Sequence, residues 1–318
     1  MEHIRKAVER AKNPLGQGST EDLDSKPAPF RPDAAVPPPS QNSPNEVALN
    51  AAYLETKRII AHDVIDPRTR FFDMLRTQVL QPMDMKSWQF LGVTSATEGC
   101  GKSVVSANLA FSIARQPERS VLLVDMDLRK PQIASYLGLN SDRGILSTLQ
   151  GRTSLANALV PARIKNLEVL TLTCESATVN SSEWVASRPM RDLLHQIKRD
   201  FAGWTVIFDL PPILAGDDVI SLLPQLDCIL FVVGAGTTTA EQIKECNRHL
   251  ESTEIVRVVL NKAEDEHAGY YTYTAPPQAP PQAPQAPQDP RRPAMRKGSA
   301  RRPRRKRFSK LLNRLGQI

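Results

Sequence analysis

The length, composition and charge of the chain narrow the possible classes of protein. The 318 residues are enough for one ordinary α/β domain with extensions, or at most for two small domains. No window approaches the ~18 consecutive apolar residues of a membrane span, and the N-terminus lacks the apolar region of a signal peptide. We therefore expect a cytoplasmic protein whose four scattered cysteines are free thiols.

Positive charge is concentrated near the C-terminus. The net charge is +7, but residues 275–318 contain twelve Lys or Arg and one acidic residue, Asp289, which leaves the rest of the chain at −4. The body of the protein therefore has no excess of positive charge, and we expect no nucleic-acid partner for it. The basic tail is the segment that would bind an anionic partner.

The first 46 residues contain two predicted segments. Residues 1–15 repeat apolar side chains at helical spacing and predict a short amphipathic helix. Residues 16–46 contain seven prolines between Pro27 and Pro44 and predict a flexible linker. The regular α/β pattern begins after this linker.

Residues 47–265 predict a doubly wound α/β domain. Short apolar runs alternate with longer amphipathic stretches such as KSVVSANLAFSIAR, RPMRDLLHQIKRD and AEQIKECNRHL. Apolar runs rich in β-branched residues and spaced by helices indicate a mostly parallel sheet covered on both faces. Ligands of such sheets bind beyond the carboxyl ends of the strands. The six predicted strands are SWQFLGVTS, SVLLVDMD, LEVLTLT, WTVIFDL, DCILFVVGA and IVRVVLNK.

A phosphate-binding loop (P-loop) follows the first predicted strand. The stretch TSATEGCGKS at residues 94–103 satisfies the relaxed pattern Ala/Gly-x4-Gly-Lys-Ser/Thr and opens a helix, as the motif requires. Loop amides would face phosphate oxygens, Lys102 would reach the β- and γ-phosphates, and the Ser103 hydroxyl would ligate Mg²⁺. We therefore predict a P-loop NTPase with ATP and Mg²⁺ as cofactors. The predicted nucleotide contacts are Thr97, Glu98, Gly99, Cys100, Gly101, Lys102, Ser103, Val104 and Asn261.

Two further strand ends carry carboxylates. The run VLLVDMDLRKP ends in Asp125 and Asp127, and the run WTVIFDLPP ends in Asp209. Such carboxylates can hold Mg²⁺ directly or through water and can orient an attacking hydroxyl. Either run alone is compatible with a helix cap, but beside a P-loop the two predict a phosphoryl-transfer site.

The motifs TSATEGCGKS, VLLVDMDLRKP and VIFDLPP together resemble the cytoplasmic kinase domain of bacterial tyrosine kinases, over about residues 66–265. Those proteins accompany exopolysaccharide and capsule synthesis. The resemblance implies an ATP-dependent protein-tyrosine autokinase that regulates polysaccharide polymerisation and export. The N-terminal helix and Pro-rich linker resemble the stand-alone members, which work beside a separate membrane polysaccharide co-polymerase. A phosphotyrosine phosphatase is a further implied partner.

The resemblance also implies a role for each motif residue. Lys102 holds the phosphates, Asp125 polarises the hydroxyl of the incoming tyrosine, and Arg129 neutralises charge that develops during transfer. Cys100 lies at a helix N-terminus, where a thiol can become more acidic, so both redox control and a merely tolerated loop residue stay open. The implied catalytic residues are Lys102, Asp125, Asp127 and Arg129, and the implied metal ligands are Ser103, Asp127 and Asp209.

Two regions bear on self-assembly and self-phosphorylation. Family members carry Glu-x2-Arg-x2-Arg on the helix before the first strand, where it pairs neighbouring subunits in a ring. The matching residues here are Arg70, Asp73 and Arg76, which share one helical face, so a homo-oligomer is an open expectation. Residues 266–274 contain three of the five tyrosines, as the family's autophosphorylated clusters do. The predicted acceptors are Tyr270, Tyr271 and Tyr273.

The C-terminal tail predicts a membrane-binding element. Residues 275–300 repeat Pro, Gln and Ala and predict an extended linker. Residues 301–318 predict a basic amphipathic helix, which is typical of binding to an anionic membrane surface. Its apolar face consists of Phe308, Leu311, Leu312 and Leu315. The protein would then be peripheral at the inner face of the plasma membrane, with nucleic-acid binding by the tail as the rival interpretation.

Three other functions compete with the kinase. A positioning ATPase of the Min or Par type shares the sheet, but its P-loop carries a second lysine where Thr97 stands here. A GTPase is suggested by Asn261-Lys-Ala-Glu264, which differs from the guanine-reading Asn-Lys-x-Asp in its last residue. A regulatory module would bind ATP without transferring phosphate. The Asp125-x-Asp127-x-Arg129 motif favours the kinase.

Overall fold

The structure is a computed structural model, and it describes residues 46–140, 142–175, 180–251 and 253–263. In these residues eight strands form one sheet in the order β1-β4-β5-β3-β6-β2-β7-β8, and every neighbouring pair is parallel except β4 and β5. The strands are β1 Val47–Ala48, β2 Phe90–Ser95, β3 Val121–Asp125, β4 Leu159–Ile164, β5 Leu167–Leu172, β6 Thr205–Asp209, β7 Cys228–Gly234 and β8 Ile255–Asn261.

Helices join the strands and cover the sheet. They are α1 Ala51–Thr56, α2 Thr69–Met85, α3 Lys102–Ala114, α4 Ile133–Leu137, α5 Ile145–Leu149, α6 Leu155–Ala158, α7 Ser181–Val185, α8 Arg188–Asp200, α9 Asp218–Leu222 and α10 Ala240–Leu250. No helix of the described segments combines the length and apolar composition that a membrane crossing requires. The predicted terminal helices, both predicted linkers and the tyrosine cluster lie outside the described residues.

The central strands are buried on both faces, as the sequence predicts. Strands β2, β3 and β6 have no exposed residue along their length, because one apolar cluster covers each face of the sheet. On one face Phe208 meets Phe90 edge to face, with ring centroids 5.0 Å apart. On the other face α3 contributes the fully buried Phe111. The doubly wound α/β prediction is confirmed, and all six predicted strands are present.

Two strands were not predicted from the sequence. Strand β4 pairs antiparallel with β5 through a tight turn in which Lys165 has a left-handed φ of 54°. Its sequence, LVPARI, contains Pro161 and Arg163, which interrupt the apolar run of a typical strand. Strand β1 is only two residues long and pairs with β4, so it leaves no periodic signal.

Helix α3 organises one side of the domain because it is buried almost all round. Its polar residue Asn108 is fully buried and makes four hydrogen bonds. The side-chain oxygen accepts from the amides of Ile60 and Ala61, at 2.8 and 2.9 Å, and the side-chain nitrogen donates to the carbonyls of Arg58 and Val104, at 2.9 and 2.8 Å. Asn108 thereby fastens residues 58–61, which follow α1, to the helix that begins at the P-loop.

The acidic residue of the altered ring motif is neutralised within the chain. Asp73 of α2 accepts two hydrogen bonds from the guanidinium of Arg115, at 2.9 and 3.0 Å, and one from Arg76 at 3.2 Å. The Ser112 hydroxyl donates to the same carboxylate at 2.8 Å. These contacts tie α2 to α3 and hold the Asp73 carboxylate within the chain.

Candidate nucleotide and phosphoryl-transfer site

The P-loop joins the buried end of β2 to the first residue of α3. Gly99 and Gly101 adopt left-handed φ values of 77° and 91°, which side chains rarely tolerate. A Cβ at Gly101 would also collide with the side-chain amide of Asn261. That amide donates to the carbonyl of Cys100 at 2.8 Å. Asn261, at the end of β8, therefore braces the P-loop in addition to facing the nucleotide site, and this bracing role was not predicted from the sequence.

A cavity of about 510 Å³ lies over the P-loop. Seven of the nine predicted nucleotide contacts line it, namely Glu98, Gly99, Gly101, Lys102, Ser103, Val104 and Asn261. Thr97 and Cys100 do not line it. The sequence analysis missed other lining residues, some of which come from the segment around the end of α1 and some of which directly follow predicted site residues. These are Thr56, Lys57, Arg58, Lys130, Gln132, Tyr136 and Lys262.

Cys100 is buried beneath the loop rather than exposed to the cavity. Its sulfur lies 3.5 Å from the Thr238 hydroxyl and 3.7 Å from the Thr97 hydroxyl. Burial acts to raise the pKa of the thiol, but the contacts with Thr238 and Thr97 outweigh burial and the pKa is lowered. The side chain packs the loop against the segment after β7.

The environment of Asp209 suits a ligand of a divalent cation. It is fully buried at the end of β6, and its Oδ1 accepts from the Ser106 hydroxyl at 3.0 Å. Its Oδ2 has no hydrogen-bond partner among the described residues, which is rare for a buried carboxylate oxygen. Burial raises the pKa of Asp209 to about 6, and Lys102 and Ser103 oppose that rise. An unsatisfied oxygen beside these two P-loop residues fits a magnesium ion bound by Ser103 and Asp209.

The metal would take most of its ligands from phosphate and water. Among the described residues, no group of three or more Asp, Glu, His or Cys side chains could hold a metal ion. Mg²⁺ sites of P-loop proteins use one or two protein oxygens together with phosphate oxygens and waters. The donor set of Ser103 with Asp209 or Asp127 fits that pattern.

The two carboxylates that follow β3 differ in accessibility. Asp127 lines the cavity, and its Oδ1 accepts from the Lys130 amide at 3.0 Å. Asp125 has no exposed surface and does not line the cavity. Its oxygens accept from the amides of Asp127, Gln132 and Ile133, at 3.3, 2.9 and 2.9 Å. Burial, followed by the neighbouring Asp209 carboxylate, raises the pKa of Asp125 well above its ordinary value.

Arg129 does not line the cavity, and residues that the sequence analysis did not single out hold its guanidinium. Its Nε donates to Asp218 at 2.9 Å and to the Ser181 hydroxyl at 2.8 Å, and its Nη2 donates to the Ser182 hydroxyl at 3.1 Å. The Asp218 side chain is only 4% exposed. The Asp-x-Asp-x-Arg loop is therefore joined to the starts of α7 and α9.

An exposed ion pair joins two residues that line the cavity. The Lys130 ammonium lies 2.6 Å from Glu98, and both side chains are more than half exposed. Such surface pairs contribute little stability, about 1 kcal/mol at most. The pair connects the P-loop to the loop after β3, on either side of the nucleotide cavity.

Comparisons with known proteins agree with this geometry. A ParA family model, described as NUBPL iron-transfer P-loop NTPase, matches residues 87–259. Tyrosine-protein kinase YwqD of Bacillus subtilis (strain 168) is 33% identical over 184 residues, which cover 57% of this chain and 76% of YwqD. The chain belongs to the bacterial tyrosine-kinase family. Its nucleotide site is the P-loop site of a ParA-type NTPase.

Two further relatives show which part of the family the chain matches. The kinase domain of VpsO has a TM-score of 0.56 and 26% identity, and the match covers 68% of this chain and 100% of that structure. The succinoglycan biosynthesis transport protein ExoP of Rhizobium meliloti (strain 1021) is 28% identical over 216 residues, which are 66% of this chain but only 27% of ExoP. The match thus spans the whole of the VpsO kinase-domain structure and about a quarter of the length of ExoP.

Proposed function

We propose that this protein is a protein-tyrosine kinase that uses ATP and Mg²⁺ to phosphorylate tyrosines of its own chain. The main observation is that one cavity is lined by Lys102 and Ser103 of the P-loop together with Asp127. The unsatisfied oxygen of Asp209 supports the presence of a metal ion there. Membership of the tyrosine-kinase family supports the choice of tyrosine as acceptor.

The residues divide the work of transfer between them. Lys102 and the loop amides hold the β- and γ-phosphates, and Ser103 and Asp209 hold Mg²⁺, which when bound neutralises phosphate oxygens. The tyrosine oxygen bonds to the γ-phosphorus, the bond from that phosphorus to the ADP oxygen breaks, and the phenolic proton passes to a carboxylate. We assign that carboxylate to Asp127, which lines the cavity and whose pKa is raised by burial. Asp125, which the resemblance implies for this step, has no exposed surface and does not line the cavity, so we propose that it holds the backbone of the loop after β3 through its hydrogen bonds with the amides of Gln132 and Ile133.

The acceptors and the cellular role follow from the tail and the relatives. We propose Tyr270, Tyr271 and Tyr273 as the phosphorylated cluster, presented to the site of a neighbouring copy in a homo-oligomer. ExoP is named for succinoglycan biosynthesis transport, which supports a role in exopolysaccharide polymerisation and export. A membrane polysaccharide co-polymerase is then the partner, a phosphotyrosine phosphatase reverses the modification, and residues 301–318 hold the protein at the inner face of the plasma membrane.

One experiment tests this function directly. Purified protein incubated with Mg-ATP should accumulate phosphotyrosine, and Lys102→Met should reduce the rate at least a hundredfold, because such a charge supplies several kcal/mol of transition-state stabilisation. Lys130→Met is the matched control, since Lys130 also lines the cavity but is exposed and paired with Glu98, and it should keep most of the activity. ATP hydrolysis without phosphotyrosine would instead favour the positioning ATPase.

A further inference from the structure

A second cavity lies apart from the nucleotide site, and the two share no lining residue. We call it the α2–α3 cavity. Its walls are residues 62–65, Arg76 of α2, residues 115–117 at the end of α3 and residues 165–167 at the β4–β5 turn. Its volume is about 530 Å³, similar to the 510 Å³ of the nucleotide cavity. It is therefore large enough for a small organic ligand.

Three polar side chains of this cavity hold unsatisfied atoms. His62 Nδ1, Arg76 Nε and Gln116 Oε1 are buried and have no hydrogen-bond partner among the described residues. His62 is only 7% exposed. Buried polar atoms are nearly always hydrogen bonded to protein or to another molecule. Three such atoms around one cavity point to a ligand that carries both hydrogen-bond acceptors and donors.

The charged groups favour an anion. Arg76, Arg115 and Lys165 line the cavity, and Asp63 is the carboxylate among the lining residues. Asp73, outside the lining, accepts from Arg115 and from Nη1 of Arg76, while Nε of Arg76 is buried without a partner among the described residues. Lys165 lies 4.0 Å from Asp63, at the limit of an ion pair. Lys165 and the two arginines therefore give the cavity a positive charge that a phosphate or carboxylate would complement.

The remaining wall of the cavity is apolar and exposed. Val64 and Ile65 are 71% and 88% exposed, and Pro117 and Leu167 complete that side. The C–H faces of a sugar ring can lie against such side chains while its hydroxyls donate to Gln116 Oε1. We propose that the α2–α3 cavity binds a hydroxylated organic anion, of the size of a sugar phosphate or a sugar acid. This site is separate from the proposed kinase site and does not depend on it.

The test follows the imidazole signals of His62 by NMR in the full chain. Mg-ADP is kept saturating so that the P-loop is occupied, and the signals are assigned among the five histidines with a His62→Gln variant. Glucose 6-phosphate, glucuronate and uncharged glucose are the probes. We expect a saturable shift of the His62 signals with at least one of the two anions and none with glucose, and the responding anion identifies the group that is recognised.

Two variants locate the binding site. Gln116→Leu removes an acceptor that makes no protein hydrogen bond, so the fold should persist while affinity for the anion falls at least tenfold. Lys165→Gln should weaken binding similarly. Lys198→Gln is the control, because Lys198 has a similar side-chain exposure (53% against 62%) on α8. Unmoved His62 signals at millimolar anion, equal affinity in all variants, or a shift that depends only on protein concentration would each refute the proposal; the last would indicate occupation by a second copy.

Discussion

Three buried carboxylates lie behind the P-loop, and each has a different environment. Asp125 is saturated by backbone amides, Asp127 faces the cavity, and Asp209 keeps one oxygen without a partner among the described residues. Burial disfavours the charged forms of these carboxylates, which lowers the stability of the fold, and a bound divalent cation would offset that cost. The pH dependence of stability should report that cost.

Asp209→Asn should flatten the pH dependence of unfolding in metal-free buffer. Because burial raises the Asp209 pKa to about 6 from 3.8, the folded state binds the proton more tightly than the unfolded state. Stability from this group is therefore present at low pH and is lost as pH rises through about 6. Between pH 5 and pH 7.5 the free energy of unfolding of the parent should fall by about 1 kcal/mol more than that of the variant. Urea unfolding at both pH values measures this, and identical pH slopes in parent and variant would contradict it.

Arg129 and Asp218 should behave as one unit. Asp218→Asn and Arg129→Gln should each cost about 1–3 kcal/mol of stability, less than for a fully buried pair because the Arg129 side chain is 39% exposed. Each should lower kcat for phosphotyrosine formation about tenfold with an unchanged KM for ATP, since neither residue lines the nucleotide cavity. In the double variant the losses of stability and of kcat should each be about as large as in either single variant.

The variants of Arg129 and Asp218 also distinguish a positioning role of Arg129 from direct contact with the transferred phosphoryl group. If Arg129 neutralises the transferring phosphoryl group, as the resemblance implies, Arg129→Gln should abolish phosphorylation while Asp218→Asn leaves it nearly intact. Arg188→Gln is the control for loss of an arginine, because Arg188 is 84% exposed and lies on α8. The motif made Arg129 recognisable in the sequence, but Asp218 is 89 positions away, and no local pattern connects the two.

At the scale of elements, the sequence predicts what burial alone determines. Strands covered on both faces are continuous apolar runs, and an amphipathic helix such as α8 repeats its buried residues, from Met190 to Ile197, at helical spacing. Strand β4 could not be predicted in this way, because Pro161 interrupts its apolar run and its pairing depends on the turn that leads to β5. The segment after α1 also has no periodic pattern: Ile59 and Ala61 are buried in the core, and the side chain of Asn108 hydrogen bonds to the backbone of the segment.

Asn108→Leu should loosen that segment. The substitution keeps the branched shape and the number of heavy atoms of the side chain but leaves the amides of Ile60 and Ala61 without their acceptor, at a cost of about 2–4 kcal/mol. Nucleotide affinity should fall as well, because Thr56, Lys57 and Arg58 line the nucleotide cavity. Urea unfolding and titration with a fluorescent ATP analogue measure the two effects. Asn140→Leu, on an exposed position, should change neither, and an Asn108→Leu protein with parental nucleotide affinity would contradict the proposed connection.

At the scale of the whole molecule, charge separates the catalytic body from the tail. Residues 275–318 carry a net charge of +11, which exceeds the +7 of the whole chain, and the remaining residues carry −4. We therefore expect attraction to an anionic surface to act on the tail rather than on the rest of the chain.

Residues 301–318 should bind anionic vesicles through both charge and insertion. Each Lys or Arg near the surface adds about 1 kcal/mol of attraction, and the apolar face formed by Phe308, Leu311, Leu312 and Leu315 enters the interface. Leu311→Asp/Leu315→Asp keeps every cation of the tail, so it should release the protein from phosphatidylserine vesicles only if insertion matters. High salt should weaken parental binding. In sedimentation with vesicles, a double variant that binds as well as the parent would reduce the tail to a polybasic tether.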